Sequence, residues 1–282
     1  MVKVKDVFQN TKKILLKNNI ENAGFEAKEL FSKAFGKEYI FFDENSDADE
    51  EKCSFLTSLI NRRVSGEPLQ YILEEWEFYS LPIKVGKGVL IPRQDTEALV
   101  DEAIKIYNER QNLTVIDLCS GSGCIGLALE KNLNLKELIL VEKSENAINY
   151  LKQNVLLNNS KAEILTGDVL DNRIADSLPT ADLIVSNPPY LNSDDMKKLQ
   201  KEVEFEPETA LYGGDDGLDF YRGLSRLYKN KLKIGGCLMF EVGINQDWQV
   251  SEILIANGYK NIRVRKDLCG VNRVIIGEKT DE

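Results

Sequence analysis

From residue 113 onward, short apolar runs rich in β-branched residues alternate with longer stretches of helical periodicity. The runs are 113–118, 138–142, 162–166, 181–186, 236–242, 259–266 and 272–278, and the helical stretches include 123–132, 144–158, 217–229 and 246–257. This alternation predicts a parallel doubly wound sheet, because parallel neighbours need a crossover long enough to hold a helix. Only a short segment joins the last two runs, so they are expected to pair as an antiparallel hairpin. The fold class is α/β. In open sheets of this kind ligands bind beyond the carboxyl ends of the strands, so the residues that end each run come first.

The run at 113–118 leads into Asp117-Leu118-Cys119-Ser120-Gly121-Ser122-Gly123-Cys124-Ile125-Gly126. Read literally, Gly121-x-Gly123-x-x-Gly126 is a dinucleotide fingerprint. Asp117 argues against it. A dinucleotide rests its pyrophosphate on such a loop, where a carboxylate would repel it. S-adenosylmethionine carries no phosphate, and its ammonium and sulfonium are positive, so the carboxylate favours that ligand. Glu142 ends the second run, where an acidic residue accepts hydrogen bonds from ribose hydroxyls; its position says nucleoside without choosing between cofactors. Gly167-Asp168 follows the third run and is placed for the adenine edge.

The fourth run ends in Asn187-Pro188-Pro189-Tyr190. Two prolines stop the strand, and the first pushes Asn187 into an extended conformation. The Asn187 side-chain oxygen and the Pro188 carbonyl then lie near the flat face of Tyr190. Two acceptors beside a ring suit a planar group that bears an NH2. Taken alone, the tetrapeptide is equally well a proline-rich turn.

Composition narrows the chemistry. The chain of 282 residues has no histidine, which removes the usual general base and every Ser-His or Cys-His pair. Its five cysteines (Cys53, Cys119, Cys124, Cys237, Cys269) are scattered without a C-x-x-C, so reduced thiols and no metal are expected. Lys and Arg number 36 against 46 Asp and Glu, a net −10, which favours a protein or small-molecule substrate over duplex nucleic acid. No apolar run approaches membrane-spanning length and the N-terminus lacks an h-region, so a cytoplasmic protein is expected.

Residues 1–66 read as a small helical domain. Val7, Ile14, Leu15 and Leu16 form one apolar stripe, and Phe25, Leu30, Phe31, Ala34 and Phe35 another, closed by Gly36. The acidic run 43–51 reads as a loop and helix start, followed by a helix with Phe55, Leu56, Leu59 and Ile60 inward. Residues 67–92 read as an extended β-hairpin linker, beginning at Tyr71-Ile72-Leu73. Residues 93–282 form the α/β domain, opened by a helix from Asp95 to about Glu109.

Several further blocks stand in a fixed order. They are Arg62-Arg63-x-x-Gly66-Glu67-Pro68-Leu69-Gln70-Tyr71-Ile72, Trp76-Glu77-Phe78-Tyr79, and Leu90-Ile91-Pro92-Arg93-Gln94-Asp95-Thr96-Glu97. Downstream come Glu206-Pro207-x-x-Ala210-Leu211-x-Gly213-Gly214-x-Asp216-Gly217-Leu218 and Lys266-Asp267-Leu268-x-Gly270-x-x-Arg273. With the glycine loop and the tetrad, nearly the whole chain resembles the protein-(glutamine-N5) methyltransferases that act on peptide chain release factors. The tetrad alone is shared with DNA adenine methyltransferases; the flanking blocks are far more specific. Cys119 stands where many relatives have glycine, and Gln94 where proline is common.

The resemblance implies a Rossmann-like, seven-stranded, S-adenosylmethionine-dependent methyltransferase domain with a small N-terminal helical domain joined by a β-hairpin. It implies that Asp117, Leu118, Cys119, Ser120, Gly121, Gly123, Glu142, Asp168, Val169 and Asn187 line the cofactor. Asn187, Pro188, Pro189 and Tyr190 would hold the substrate glutamine of the release factor's Gly-Gly-Gln motif, with Asn187, Pro188 and Tyr190 as the catalytic group. Class-1 release factors are the expected partners, the chain is expected to be a monomer, and no direct contact with nucleic acid or membrane is expected. The competing readings are an adenine-N6 methyltransferase, which would flip a base onto Tyr190, a small-molecule N-methyltransferase, and a non-catalytic cofactor-binding module.

Overall fold

The computed structural model describes residues 2–281. It divides into two compact units: one runs to Glu75 and includes Lys201–Phe205, and the other comprises Trp76–Gln200 and the chain from Glu206 onward.

The first unit is built on α1 (Val4–Lys17), α2 (Ala23–Phe35), α3 (Glu50–Val64) and α4 (Leu69–Leu73). Val4, Phe8, Thr11 and Leu15 are the buried face of α1. Leu16, expected inward, is exposed, because a residue next to a buried one lies about 100° further round the helix. Phe25 and Phe55, also expected inward, are about half exposed, at 50% and 45%. The core is aromatic instead around Phe31, stacked on Phe35 at 4.1 Å and edge-on to Phe42 at 5.3 Å. Gly36 ends α2 with φ 78°, and Asp49 caps α3 by accepting from Lys52 N at 3.0 Å, so the acidic run does start a helix. Arg63 is buried and holds Glu26 through Nε (2.6 Å) and Nη2 (3.1 Å), and Glu202 through Nη2 (2.6 Å).

Tyr71-Ile72-Leu73, expected to be extended, is the helix α4. Pro68 accepts from Tyr71 N and Ile72 N, and the turn buries Leu69, Tyr71 and Ile72. Aromatic and β-branched content favours a strand only weakly, and the turn that starts at Pro68 wins here.

The second unit opens with β1 (Glu75–Phe78) and β2 (Leu81–Lys84), joined by Tyr79-Ser80, both at positive φ, as a tight primed hairpin turn requires. After α5 (Glu97–Tyr107) come β3 (Leu113–Leu118), α6 (Cys124–Asn132), β4 (Leu135–Glu142), α7 (Glu145–Leu157), β5 (Glu163–Thr166) and α8 (Asn172–Ser177). Then follow β6 (Ala181–Ser186), α9 (Asp219–Tyr228), β7 (Leu232–Glu241), α10 (Asp247–Ala256), β8 (Lys260–Lys266) and β9 (Asn272–Glu278). The seven-stranded sheet has the order β5-β4-β3-β6-β7-β9-β8. All pairs are parallel except β7–β9 and β8–β9. The expected terminal hairpin is present. Its second strand inserts beside β7, which strand patterning does not reveal.

Helices cover both faces, so the central strands are apolar throughout; all six residues of β3 are buried. Val115, Leu138, Leu183, Met239 and Ile276 pack in one layer with α5, α6 and α7 residues. Their sheet neighbours Ile116, Ile139, Ile184, Leu238 and Ile275 pack in the other, with Tyr221, Tyr228 and Leu254. The chain winds one way from β3 to β5 and the other way from β6, so the topological switch lies between β3 and β6. That is where the ligand crevice belongs. No helix among the described residues is long and apolar enough to cross a membrane.

Candidate active site

The loop after β3 is wound tightly before α6 begins at Cys124. Ser120 Oγ donates to Asp117 O at 2.7 Å and Gly123 N to Ser120 O at 2.7 Å. Cys119 has φ 59°, the left-handed conformation that a Cβ makes unfavourable by roughly 1–2 kcal/mol. Cys119→Gly should therefore raise the unfolding free energy by about 1 kcal/mol, the rest being offset by the freedom glycine gains when unfolded. Urea denaturation at neutral pH checks this; an unchanged or lower midpoint would show that Cys119 is held there without strain.

A cleft of about 870 Å³ opens over this loop, between the carboxyl ends of the strands. Cys119, Ser120, Gly121, Glu142, Val169, Asn187 and Pro189, all named from the sequence, line it. Glu142 ends β4 and is almost fully buried; Oε2 accepts from Gly121 N at 2.9 Å, and Oε1 from Lys143 N at 2.9 Å and Ser144 N at 2.8 Å. Its orientation is thus set by backbone on both sides, leaving its remaining lone pairs to face the cleft. Leu118, Gly123 and Pro188 lie behind the wall, and Asp168 stands outside it. The Asp168 carboxylate accepts from Leu170 N at 2.9 Å and pairs at 3.2 Å with Lys143, which does line the cleft.

Asp117 is also behind the wall, fully buried. Its Oδ2 accepts from Gly126 N at 3.0 Å, while Oδ1 has no partner. Burial pushes its pKa up to about 7; the Gly126 bond opposes this and the Glu142 charge adds to it.

At the end of β6, Asn187 Nδ2 donates to Thr96 Oγ1 at 3.4 Å. Tyr190 does not line the cofactor-side cleft. It lines a second cavity with Arg93, Asp95, Gln246 and Arg273. Burial and the Glu241 charge hold its hydroxyl neutral, with a pKa pushed up to about 12. Two glycines seat the tetrad: a Cβ on Gly213 would stand 2.5 Å from Pro189 O, and one on Gly217 2.3 Å from Tyr190 O. Backbone therefore packs on backbone here, which explains a glycine-rich stretch far along the chain.

Sequence reasoning missed the other wall. Val89 to Arg93, Thr96, Pro207, Thr209, Ala210 and Phe220 complete the cleft. Glu206 organises much of it: buried, it accepts from Ile91 N at 3.1 Å and pairs with Arg93, so one carboxylate joins two loops. A glutamate before proline inside an ordered sequence block was the available signal.

Comparison with known proteins decides the assignment. The family model described as "Methyltransferase small domain" matches residues 96–205, and "PrmC N-terminal domain" matches residues 6–73. A "Release factor glutamine methyltransferase" of Thermodesulfovibrio yellowstonii is 40% identical over 264 residues, covering 90% of this chain and 92% of that protein. One of Clostridium acetobutylicum is 38% identical and covers 98% of both. The chain belongs to the release factor glutamine methyltransferase family. A methyltransferase structure from Pyrococcus furiosus, 18% identical, shares the fold with a TM-score of 0.54 over 72% of this chain and 91% of that one.

A release factor glutamine methyltransferase uses S-adenosylmethionine, and the residues present fit it. The cleft floor is apolar at Ile125, Val141 and Val169, while Glu142 offers acceptors. The unpaired Asp117 Oδ1 is a buried carboxyl oxygen without the donor or cation that burial requires. A ligand that brings positive charge to the loop offsets the buried carboxylate across it.

Proposed function

We infer that this chain transfers the methyl group of S-adenosylmethionine to the side-chain amide nitrogen (N5) of a glutamine in a peptide chain release factor. The observation that carries the reading is the placement of Asn187-Pro188-Pro189-Tyr190 at the end of β6, where Asn187 and Pro189 line the cofactor cleft and Tyr190 lines a second cavity that shares Arg93 with it. A planar amide entering from the Tyr190 side meets the tetrad's acceptors between the two.

When bound, the cofactor supplies an electrophilic methyl on a sulfonium. Asn187 Oδ1 and the Pro188 carbonyl accept the two hydrogens of the glutamine NH2. They hold the nitrogen in line and favour its partial pyramidalisation, since an amide lone pair is otherwise delocalised. As the new N–C bond forms the S–C bond breaks and the cofactor would leave as a neutral thioether, while the surplus proton of the methylated nitrogen goes to water after transfer, so positioning and fixed dipoles do most of the work and no strong base is needed. Asp117, Glu142 and the loop 117–123 hold the cofactor, with Asp168 at its rim. Residues 1–66 act as the domain that recognises the release factor, residues 67–92 as linker, and 93–282 as the catalytic domain. The protein works as a cytoplasmic monomer without binding nucleic acid, in keeping with its net charge of −10.

The test is incubation with methyl-labelled cofactor and either purified release factor or DNA. Label on the release factor, lost when its acceptor glutamine is changed to alanine, is expected. Label on DNA adenine instead would replace this reading with the nucleic-acid one.

A further inference from the structure

Two loops at the tetrad's end of the sheet carry large apolar side chains that the fold leaves bare. Ile244 is 65% exposed, Trp248 in the first turn of α10 is 70% exposed, and Leu268 between β8 and β9 is 89% exposed. The strand register puts all three at one end. Ser186, just before the tetrad, pairs with Phe240 of β7, and Glu241 pairs with Val274 near the start of β9. Strand β8 is antiparallel to β9, so the turn between them lies at that same end. Scattered exposed apolar residues are ordinary; three large ones on linked loops at the ligand end of a sheet mark a contact surface.

Both loops are pinned by polar side chains, and the pins run to the Tyr190 cavity. In the first, Gln246 Oε1 accepts from Gly243 N at 3.0 Å while Nε2 donates to Tyr190 O at 3.0 Å. Ile244 itself lines that cavity. In the second, buried Asp267 accepts from Cys269 N and Val271 N, both at 2.9 Å, and from Arg273 Nε at 3.2 Å. Asp267 N donates to Val271 O at 2.9 Å, and Gly270, at φ 82°, donates to Asp267 O at 3.1 Å. Arg273 is also a wall of the cavity. Asn272 Nδ2 donates to Asp247 Oδ2 at 2.9 Å and so ties the two loops together. The frame is fixed while its apolar tips stand in water, where they add nothing to stability by burial. A surface already ordered in this way is covered by a protein partner with little loss of conformational freedom.

We propose that Ile244, Trp248 and Leu268 form a docking surface on the catalytic unit for the part of the release factor that carries the acceptor glutamine, in addition to any contact made by residues 1–66. This rests on the reading that the glutamine enters from the Tyr190 side. The occupant follows from continuity. A protein whose glutamine side chain reaches the tetrad lays the surface around that glutamine against the rim of the cavity, where Ile244 stands. Tryptophan is the side chain that most often anchors such contacts. Three apolar tips offer a nucleic acid's phosphates nothing to pair with.

Steady-state methylation of intact release factor separates docking from chemistry. Trp248→Ser combined with Leu268→Ser should raise KM for the release factor roughly ten-fold or more and leave kcat within about two-fold. Cofactor affinity by calorimetry and the urea midpoint should stay parental, because both side chains are exposed. Leu268→Met should keep the parental KM, whereas Leu268→Asp should raise it. A parental KM in the double variant, with the parent active on release factor, overturns the proposal and leaves the reaction standing. A lower kcat at unchanged KM overturns it too, by placing the two residues in the chemistry. So does a loss of self-association by light scattering at unchanged KM, which gives the surface to a second copy of this chain. Failure of the parent protein to methylate release factor instead removes the reading beneath it.

Discussion

Asn187→Ala lowers turnover on release factor by roughly 10²–10³, the range for losing one preorganised polar group at a reacting centre. The variant leaves the two prolines, Tyr190 and the glycine seat of the tetrad in place, so the turn itself survives. Cofactor affinity should change far less, because Glu142 and the loop 117–123 are untouched. The methyl-transfer rate in a single turnover reports the first quantity and calorimetry the second. Asn187→Asp is the sharper control: it is nearly isosteric, still accepts, and adds a negative charge toward the sulfonium. That charge stabilises the cationic ground state more than a transition state in which the charge is dispersing. Asn187→Asp should therefore bind the cofactor at least as well as the parent and still turn over slowly. Parental rates in both variants would reduce Asn187 to a turn former.

Asp117→Ala should weaken S-adenosylmethionine binding, by on the order of 1.5–3 kcal/mol for a direct charge-assisted contact and by less for a carboxyl that, as here, is fully buried behind the cleft wall and acts across the loop. The shift of Asp117 up to about 7 adds a pH signature. The positively charged cofactor favours the ionised carboxyl, so binding pulls a proton off Asp117. Affinity should then rise with pH through about 7, and fall again above roughly 8 as the cofactor's own amino group loses its charge. Calorimetry in buffers of different ionisation enthalpy should show a proton released on binding at about pH 6 to 7. Asp117→Asn should lose that acid limb. The ligand-free protein shows the opposite sign. A folded pKa above the unfolded value contributes stability that is present below about 4 and lost as pH rises through about 7. Asp117→Asn should accordingly unfold at higher urea than the parent at pH 8. An affinity that ignores both pH and the substitution would remove Asp117 from cofactor binding.

The sheet was legible because its strands are buried on both faces and flanked by helices of matching length; all seven runs appear within a few residues of their expected ends. Asn187 and Glu142 could be named because they end strands, where geometry alone brings side chains to the crevice. Thr96 and Glu206 could not. Thr96 reaches Asn187 across 91 residues of sequence, and Glu206 reaches Ile91 across 115. No local pattern encodes such a meeting; it follows from the sheet order. Helix α4 was misread for the opposite reason: a five-residue segment carries too little periodicity to separate helix from strand. Asp117 could be named as the carboxylate that ends its strand before the glycine loop, but its depth behind the wall depends on packing, which strand patterning leaves open.

The insertion of β9 between β7 and β8 also bears on how the protein is made. Strand β8 leaves the ribosome before the strand that ties it to the sheet, since β9 is its only neighbour. At usual synthesis rates the gap from Lys266 to Glu278 lasts on the order of one second, during which β8 has an unsatisfied backbone and no place to dock. Lys260, Arg263, Arg265 and Lys266 put four positive charges on this seven-residue strand, which keeps it from pairing with another nascent chain. Arg273 arrives on the same late strand, so its bonds to Asp95 and Asp267 are among the last to close around the tetrad. A chain cut off shortly before β9 would thus lose two strands and the arginine beside the reacting centre at once, and activity should begin only when the final stretch of sheet has been laid in.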